Sequence, residues 1–311
     1  MSMQAYPELP HYPDLPLIRQ GDFRAIARAI TFIENTMPGS DALLHSLGNR
    51  HAPVIGITGP PGAGKSTLVD ALVKQGVDQG KKMAILCIDP SSSFHSGALL
   101  GDRIRMNRWY NDPQVYIRSL ASRGSVGGLN PRIFEITDLL ANAGFDLIMI
   151  ETVGVGQSEV DIARLADQVV LVLVPESGDD IQAMKSGILE IGDIFVLNKS
   201  DRAGASQFLQ SLKSSLRFQS GKPFEDLRFL QTVASEEKGI AELYAAIMEN
   251  IRNISPKQSL RLLTEKAWQL IMDHRMRNMD RTKLSLSLQQ ALDKPGFNVH
   301  LFAVQYAENI S

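Results

Sequence analysis

Eight consecutive residues, Gly59-Pro60-Pro61-Gly62-Ala63-Gly64-Lys65-Ser66, match the pattern GxxxxGK[ST], and Thr67 leads on from them. Glycines at these positions let backbone N–H groups turn inward around phosphate oxygens, and a helix starting near Lys65 adds the positive end of its dipole. Lys65 would meet the terminal phosphates as a point charge, and the Ser66 hydroxyl would hold Mg2+. The flanks agree with the motif: Val54–Thr58 reads as a buried strand and Thr67–Val73 carries helical spacing of apolar residues. The stretch predicts a site for a nucleoside triphosphate.

Three further clusters could complete that site. Asp89 ends the apolar run Met83–Ile88, and the connection that follows to Met106 has little periodicity, as functional connections often do. Asp89, or Asp102 within that connection, could reach Mg2+ directly or through water; Asp89 also reads as an aspartate before the turn-forming Pro90. Leu147-Ile148-Met149-Ile150-Glu151 then ends in a carboxylate three residues before Gly154, an ExxG where nucleotide switches often carry DxxG. There the carboxylate would orient a water on Mg2+, and the glycine N–H would sense the γ-phosphate. Gln157, in the segment that follows, is either a water-positioning side chain or an exposed loop residue, so Lys65, Glu151 and Gln157 form the candidate catalytic set.

Asn198-Lys199-Ser200-Asp201 closes another apolar strand and matches NKxD. Asp201 can accept from both the ring N–H and the exocyclic amine of guanine, an arrangement adenine cannot match. The stem of Lys199 can cover the purine while Asn198 ties loops together, and backbone N–H groups around Ala234 could complete the pocket. Arg118 and Arg123, near a glycine-rich bend, could meet phosphate or partner carboxylates or form surface ion pairs.

The elements that position these residues read as a doubly wound α/β domain with a mainly parallel sheet. Strands are expected at Val54–Thr58, Met83–Ile88, Val115–Arg118, Leu147–Glu151, Val169–Val174, Ile194–Asn198 and Leu227–Thr232. Most are continuous apolar runs separated by helical stretches, the pattern of strands buried on both faces. Residues 1–50 precede this domain as a proline-rich extended arm to about residue 20, a helix from Asp22 ended by Pro38-Gly39, and a shorter helix over Asp41–Leu47. Residues 51–255 form the nucleotide domain. Residues 256–311 carry an apolar helical stripe, Leu260, Leu263, Ala267, Leu270 and Ile271, which Leu284, Leu288, Leu292, Leu301 and Val304 continue.

A formal charge of -2 over 311 residues gives no sign of the basic surface that nucleic-acid binding usually needs, so nucleic acid is not the expected partner. One cysteine, Cys87 in an apolar run, excludes an intrachain disulfide and a multi-thiolate metal site within one chain. No apolar run approaches the ~20 residues needed to span a bilayer, and the acidic, proline-rich start does not resemble a signal or transit peptide. A cytoplasmic protein without a membrane partner is expected.

Taken together, these motifs resemble the MeaB/ArgK family of P-loop GTPases. The likeness runs from residue 18 to about 250 and rests on Gly21-Asp22 through Glu34, the P-loop, Asp89-Pro90-Ser91-Ser92, Arg118 through Leu129, Glu151 through Glu159 and Asn198 through Asp201. It implies a Mg2+-dependent GTPase chaperone for an adenosylcobalamin-dependent acyl-CoA mutase, usually methylmalonyl-CoA mutase, in which GTP hydrolysis gates cofactor loading and protects the mutase. A cobalamin adenosyltransferase is a further implied partner, and a homodimer built by the C-terminal helices is implied as well. The family's third switch corresponds to Pro175 through Lys185, where Glu176-Ser177 replaces smaller residues. Asp179 and Lys185 are the candidates there for coupling to the partner. Two other readings compete: a metal-insertion GTPase, which would need a histidine- or cysteine-rich tract absent here, and a kinase for amino-acid transport that passes the γ-phosphate to protein.

The base-reading assignment gives the first prediction. Asp201→Asn should shift preference toward xanthosine nucleotides, because the amide can donate to xanthine's additional carbonyl. Titrations with GTP, ATP and xanthosine triphosphate check this; equal ATP and GTP affinities for the unaltered chain would defeat it.

Overall fold

A computed structural model describes residues 13–48, 52–89, 106–122, 128–152, 158–177, 187–219, 223–277, 279–292, 294 and 296–308. The chain divides into two compact units, Met1–Leu262 and Leu263–Ser311. The first is built on a seven-stranded sheet in the order β3-β2-β4-β1-β5-β6-β7. Its strands are β1 (Val54–Thr58), β2 (Met83–Asp89), β3 (Val115–Ala121), β4 (Leu147–Glu151), β5 (Gln168–Leu173), β6 (Ile194–Leu197) and β7 (Arg228–Gln231). Every pairing between them is parallel.

Parallel strands need crossovers, and helices supply most of them. The helices of this unit are α1 (Leu15–Arg19), α2 (Phe23–Glu34), α3 (Ser40–His45), α4 (Lys65–Val77), α5 (Ile133–Asn142), α6 (Ser158–Leu165), α7 (Ile188–Ile191), α8 (Ala205–Gln219) and α9 (Ile240–Arg252). Strand alternation feeds two layers. Ala84, Leu86 and Ile88 of β2 join one core with α2, α5 and α6, while Met83, Ile85 and Cys87 join the other with α4 and α9. Both faces are covered, which is why these strands are uniformly apolar and not alternating. Cys87, the one cysteine of the chain, is buried in the second core.

The arm expected to run extended to about residue 20 instead closes into α1. Asp14 caps it by accepting from Leu17 N at 3.2 Å, and Pro16 stands in the first turn, where a missing N–H has no intrahelical acceptor to lose. Ile18 then enters the core with no exposed surface. Asp22 caps α2, accepting from Ala25 N at 2.7 Å. At the other end of α2, Glu34 meets Arg118 of β3 at 3.0 Å and accepts from Asn130 Nδ2 at 3.2 Å, while Arg118 also donates to Thr31 Oγ1. The N-terminal helices are thus bound to the sheet by apolar packing and by a partly buried ionic network.

α10 (Pro256–Met276) continues from the first unit into the second, which also contains α11 (Arg281–Leu292) and α12 (Val299–Glu308). Within the second unit Phe302 packs against Phe297 and Tyr306. No residue of these three helices is buried. Leu263, Trp268, Ile271, Leu286, Leu301 and Val304 are each more than half exposed. Among the described residues no helix is long and apolar enough to cross a membrane.

Candidate functional site

The site lies at the carboxyl edge of the sheet, where the connections after β1, β2, β4 and β6 open. Gly59 leaves β1 at φ +140°, and a Cβ there would stand 2.0 Å from Val172 O. Only glycine lets the chain turn this close to β5. Gly64 sits at φ +87° just before α4, where a Cβ would fall 2.5 Å from Asn198 Nδ2. Between them Ala63 is buried while Pro61 and Gly62 face outward. The result is a loop of main-chain amides opening onto the helix that begins at Lys65, the arrangement that accepts phosphate.

Lys65 is 6% exposed, and its Nζ donates to Gly59 O at 2.8 Å and Pro60 O at 3.0 Å. Ser66 Oγ donates to Glu151 Oε1 at 2.6 Å, joining the start of α4 to the end of β4. Beside them Thr152 and Thr58 are linked hydroxyl to hydroxyl at 2.9 Å. Asp89 ends β2, which neighbours β4, and is buried; its carbonyl accepts from Ser122 N at 3.0 Å. One hydroxyl and two buried carboxylates at a single sheet edge are hard oxygen donors. They suit Mg2+, which takes one or two carboxylates and completes its shell with water and substrate phosphate. Among the described residues no three of His, Cys, Asp and Glu converge to hold a metal ion by themselves.

Asn198 joins the base-reading loop to this frame. Its Nδ2 donates to Ala63 O at 2.9 Å, and its Oδ1 accepts from Thr232 Oγ1 and Ala234 N, each at 3.1 Å. Lys199 adopts a left-handed φ of +54° and its Nζ donates to Gly62 O at 2.7 Å, laying its stem across the mouth of the loop. Asp201 is exposed one turn further on. Nearby, the Lys238 ammonium is held above its ordinary pKa chiefly by its hydrogen bond to Glu236, with Asp201 adding to the negative field.

The structure therefore brings together Gly59 to Ser66, Glu151, Asn198 and Lys199, with Asp89, Asp201, Thr67 and Ala234 at the same edge. Asp102, Gly154, Gln157, Asp179 and Lys185 lie outside the described residues, as does Arg123. Arg118, whose role the sequence leaves open, meets Glu34 and Thr31 inside the protein. Two long-range interactions escape sequence reasoning altogether. Asp70 of α4 accepts from Trp109 Nε1 at 2.7 Å and from Arg108 Nε at 3.0 Å, fixing the end of the connection between β2 and β3 to the P-loop helix. The other is Glu159, in the first turn of α6, which is close enough to Lys65 to feel its charge. Neither pairing has a local signal, because each spans two elements far apart in the chain.

The description of a known family, methylmalonyl-CoA mutase-associated GTPase MeaB, matches residues 26–283, which include every element of this site. The chain belongs to the MeaB family of GTPases. It is 47% identical over 241 residues to a protein of Pyrococcus abyssi named as a GTPase, covering 75% of this chain and 74% of that one. It is 33% identical over 286 residues to the GTPase ArgK of Escherichia coli, with 85% of each chain covered. A crystal structure of a LAO/AO transport system kinase superposes with a TM-score of 0.65 at 27% identity, covering 95% of this chain and 96% of the other. As a MeaB-family protein the chain is a P-loop enzyme that hydrolyses GTP to GDP and phosphate.

Asn198→Ala would strip partners from Ala63 O, Thr232 Oγ1 and Ala234 N at once. Leaving buried polar groups unmatched costs about 1–3 kcal/mol apiece, so with three of them we expect a loss of about 3 kcal/mol or more in stability together with weaker binding of GTP and GDP alike. Urea unfolding and titration with fluorescent GDP check both. A variant as stable as the parent would show that the three connections are held without this amide.

Proposed function

We propose that this GTPase is a chaperone for an adenosylcobalamin-dependent acyl-CoA mutase, methylmalonyl-CoA mutase being the first candidate. On this reading GTP binding and hydrolysis gate cofactor loading and protect or reactivate the mutase. The observation that carries it is the family match over residues 26–283, which unites a mutase-associated family with a complete P-loop and NKxD framework. A cobalamin adenosyltransferase would be the second partner, as the source of the loaded cofactor.

In this role the main-chain cradle of residues 59–66 holds the phosphates, and Lys65 exchanges the Gly59 and Pro60 carbonyls for phosphate oxygens. Ser66, with Glu151 hydrogen-bonded to it and Asp89 at the end of β2, would hold Mg2+, which would supply positive charge against the charge developing on the transferred phosphoryl group. Gln157 and Gly154 are proposed to aim water and sense the γ-phosphate. Asp201 and Lys199 choose and cover the guanine, with Asn198 and Ala234 framing the pocket.

Coupling to the mutase is assigned to the segment of Asp179 and Lys185. Its entrance, Pro175–Ser177, carries Glu176, which pairs with Arg202 just beyond NKxD. That hydrogen bond holds the Glu176 carboxyl below its usual range. An entrance held next to the base loop would let nucleotide state reach the coupling residues that follow it. Phosphate release with and without cobalamin-dependent mutases tests the whole reading: the cognate mutase should accelerate turnover, and Lys185→Ala should spare GTP affinity and basal rate while reducing the stimulation. If no such mutase changes turnover, the chaperone reading fails. Stable phosphoprotein in place of free phosphate would favour a kinase, as the similar structure of a LAO/AO transport system kinase is named.

The exposed apolar side chains of α10 to α12 support a homodimer, since monomers seldom leave so many large apolar groups in water. Light scattering should give twice the chain mass, and removal of residues 256–311 should give a folded monomer that still binds GTP. A full-length monomer would remove the basis for this assembly.

A further inference from the structure

Gly56 lies in the middle of β1, and a Cβ built there would stand 2.5 Å from Ile162 Cγ1 and 3.3 Å from Ala166 Cβ. Without that Cβ, α6 settles directly onto the strand and Ile162 is wholly buried. The crossover from β4 through α6 to β5 joins parallel strands, so α6 runs back against their direction. Its first turn therefore stands at the carboxyl edge, beside the P-loop. Glu159 precedes Ile162 by three residues and shares its face of the helix. The carboxylate lies within the field of Lys65 in the phosphate loop. Its Oε1 is buried and accepts no hydrogen bond from a described residue. Burial raises the pKa of this carboxyl above its ordinary value, and the Lys65 ammonium offsets only part of that rise.

A half-buried acid of this kind is costly, and next to a phosphate-binding lysine it also opposes the charge of the ligand. Acids in a first helical turn do suit the helix dipole, but Asp161 already stands in that turn and pairs with Arg164 at 3.5 Å. We propose that Glu159 is a positioning residue for GTP hydrolysis, acting through Lys65: its carboxylate fixes where the ammonium points when it leaves the Gly59 and Pro60 carbonyls for phosphate. Nucleotide binding gains nothing from this charge. Its benefit appears only when the lysine must meet the charge that develops during phosphoryl transfer. The inference rests on GTP hydrolysis at the P-loop and is independent of the mutase.

The test uses the full-length chain, single-turnover phosphate release at saturating GTP and Mg2+, and titration with fluorescent GDP. Glu159→Gln keeps the shape and removes the charge. It should slow the chemical step about tenfold or more while GDP binds as tightly as before or up to about threefold tighter. Glu159→Asp, with the charge on a shorter arm, should recover part of the rate. In a Lys65→Arg background the same charge removal should change the residual rate less than about twofold, since the coupled partner is already displaced. A parental rate for Glu159→Gln overturns the proposal, as does an equal loss in both backgrounds. An unfolded variant, or one that loses GDP affinity and rate together, also overturns it, because the carboxylate would then serve the fold and not the ammonium. Loss of phosphate binding in Lys65→Ala checks the underlying site separately.

Discussion

Asn198 is the side chain on which the nucleotide site closes. Phosphate is bound by backbone amides, and backbone can approach phosphate only from loops that have no sheet ladder to hold them. Their geometry must come from elsewhere. Asn198 supplies it by joining Ala63 O in the P-loop to Thr232 and Ala234 beyond β7, so the phosphate loop and the base loop share one amide. Lys199 repeats the link at Gly62 and accepts a left-handed backbone to do so. For a residue with a Cβ that conformation is uncommon, and the hydrogen bond offsets it. Base recognition and phosphate recognition are therefore mechanically one object in this protein.

The same economy appears on the other side of the sheet. The N-terminal helices complete a core that the strands leave open, and Glu34, Arg118 and Asn130 tie them to the edge strand β3. A carboxylate with 7% of its side chain exposed is tolerable only because a guanidinium and an amide both reach it. Asn130 in turn donates to Ala121 O, so the end of β3 is held from two directions. The edge strand, with one neighbour instead of two, is where such reinforcement matters most.

Much of this was legible from residue types alone. The glycines of the P-loop, the carboxylate at Glu151 and the run Asn198 to Asp201 are local patterns, and the sheet followed from apolar runs that only double burial explains. Strand ends moved by one residue at β2, β5, β6 and β7, and β3 ran on to Ala121, since most of its later residues are only partly buried and lack a continuous apolar signal. Proline content suggested an arm where α1 forms, because a proline in a first turn is indistinguishable in composition from one that forbids a helix. Arg118, Asp70 and Glu159 could not be assigned in advance for a different reason: each has a partner brought near only by the crossovers.

The strand order also sets the sequence of events in folding. β1 carries the P-loop yet does not pair with β2, the next strand in the chain; Val54 lies beside Ile148 and Ile55 beside Gln168. While the chain is being synthesised, the phosphate loop is thus made early and framed late, once β4 and β5 have emerged to flank it. The amide that locks it waits longer still, for β6 and for the turn after β7. Pairings of such long sequence separation form slowly and leave an apolar central strand without neighbours in the meantime. Nucleotide, which needs the finished frame, can reward only the completed unit, and so acts on the last stage of folding rather than the first.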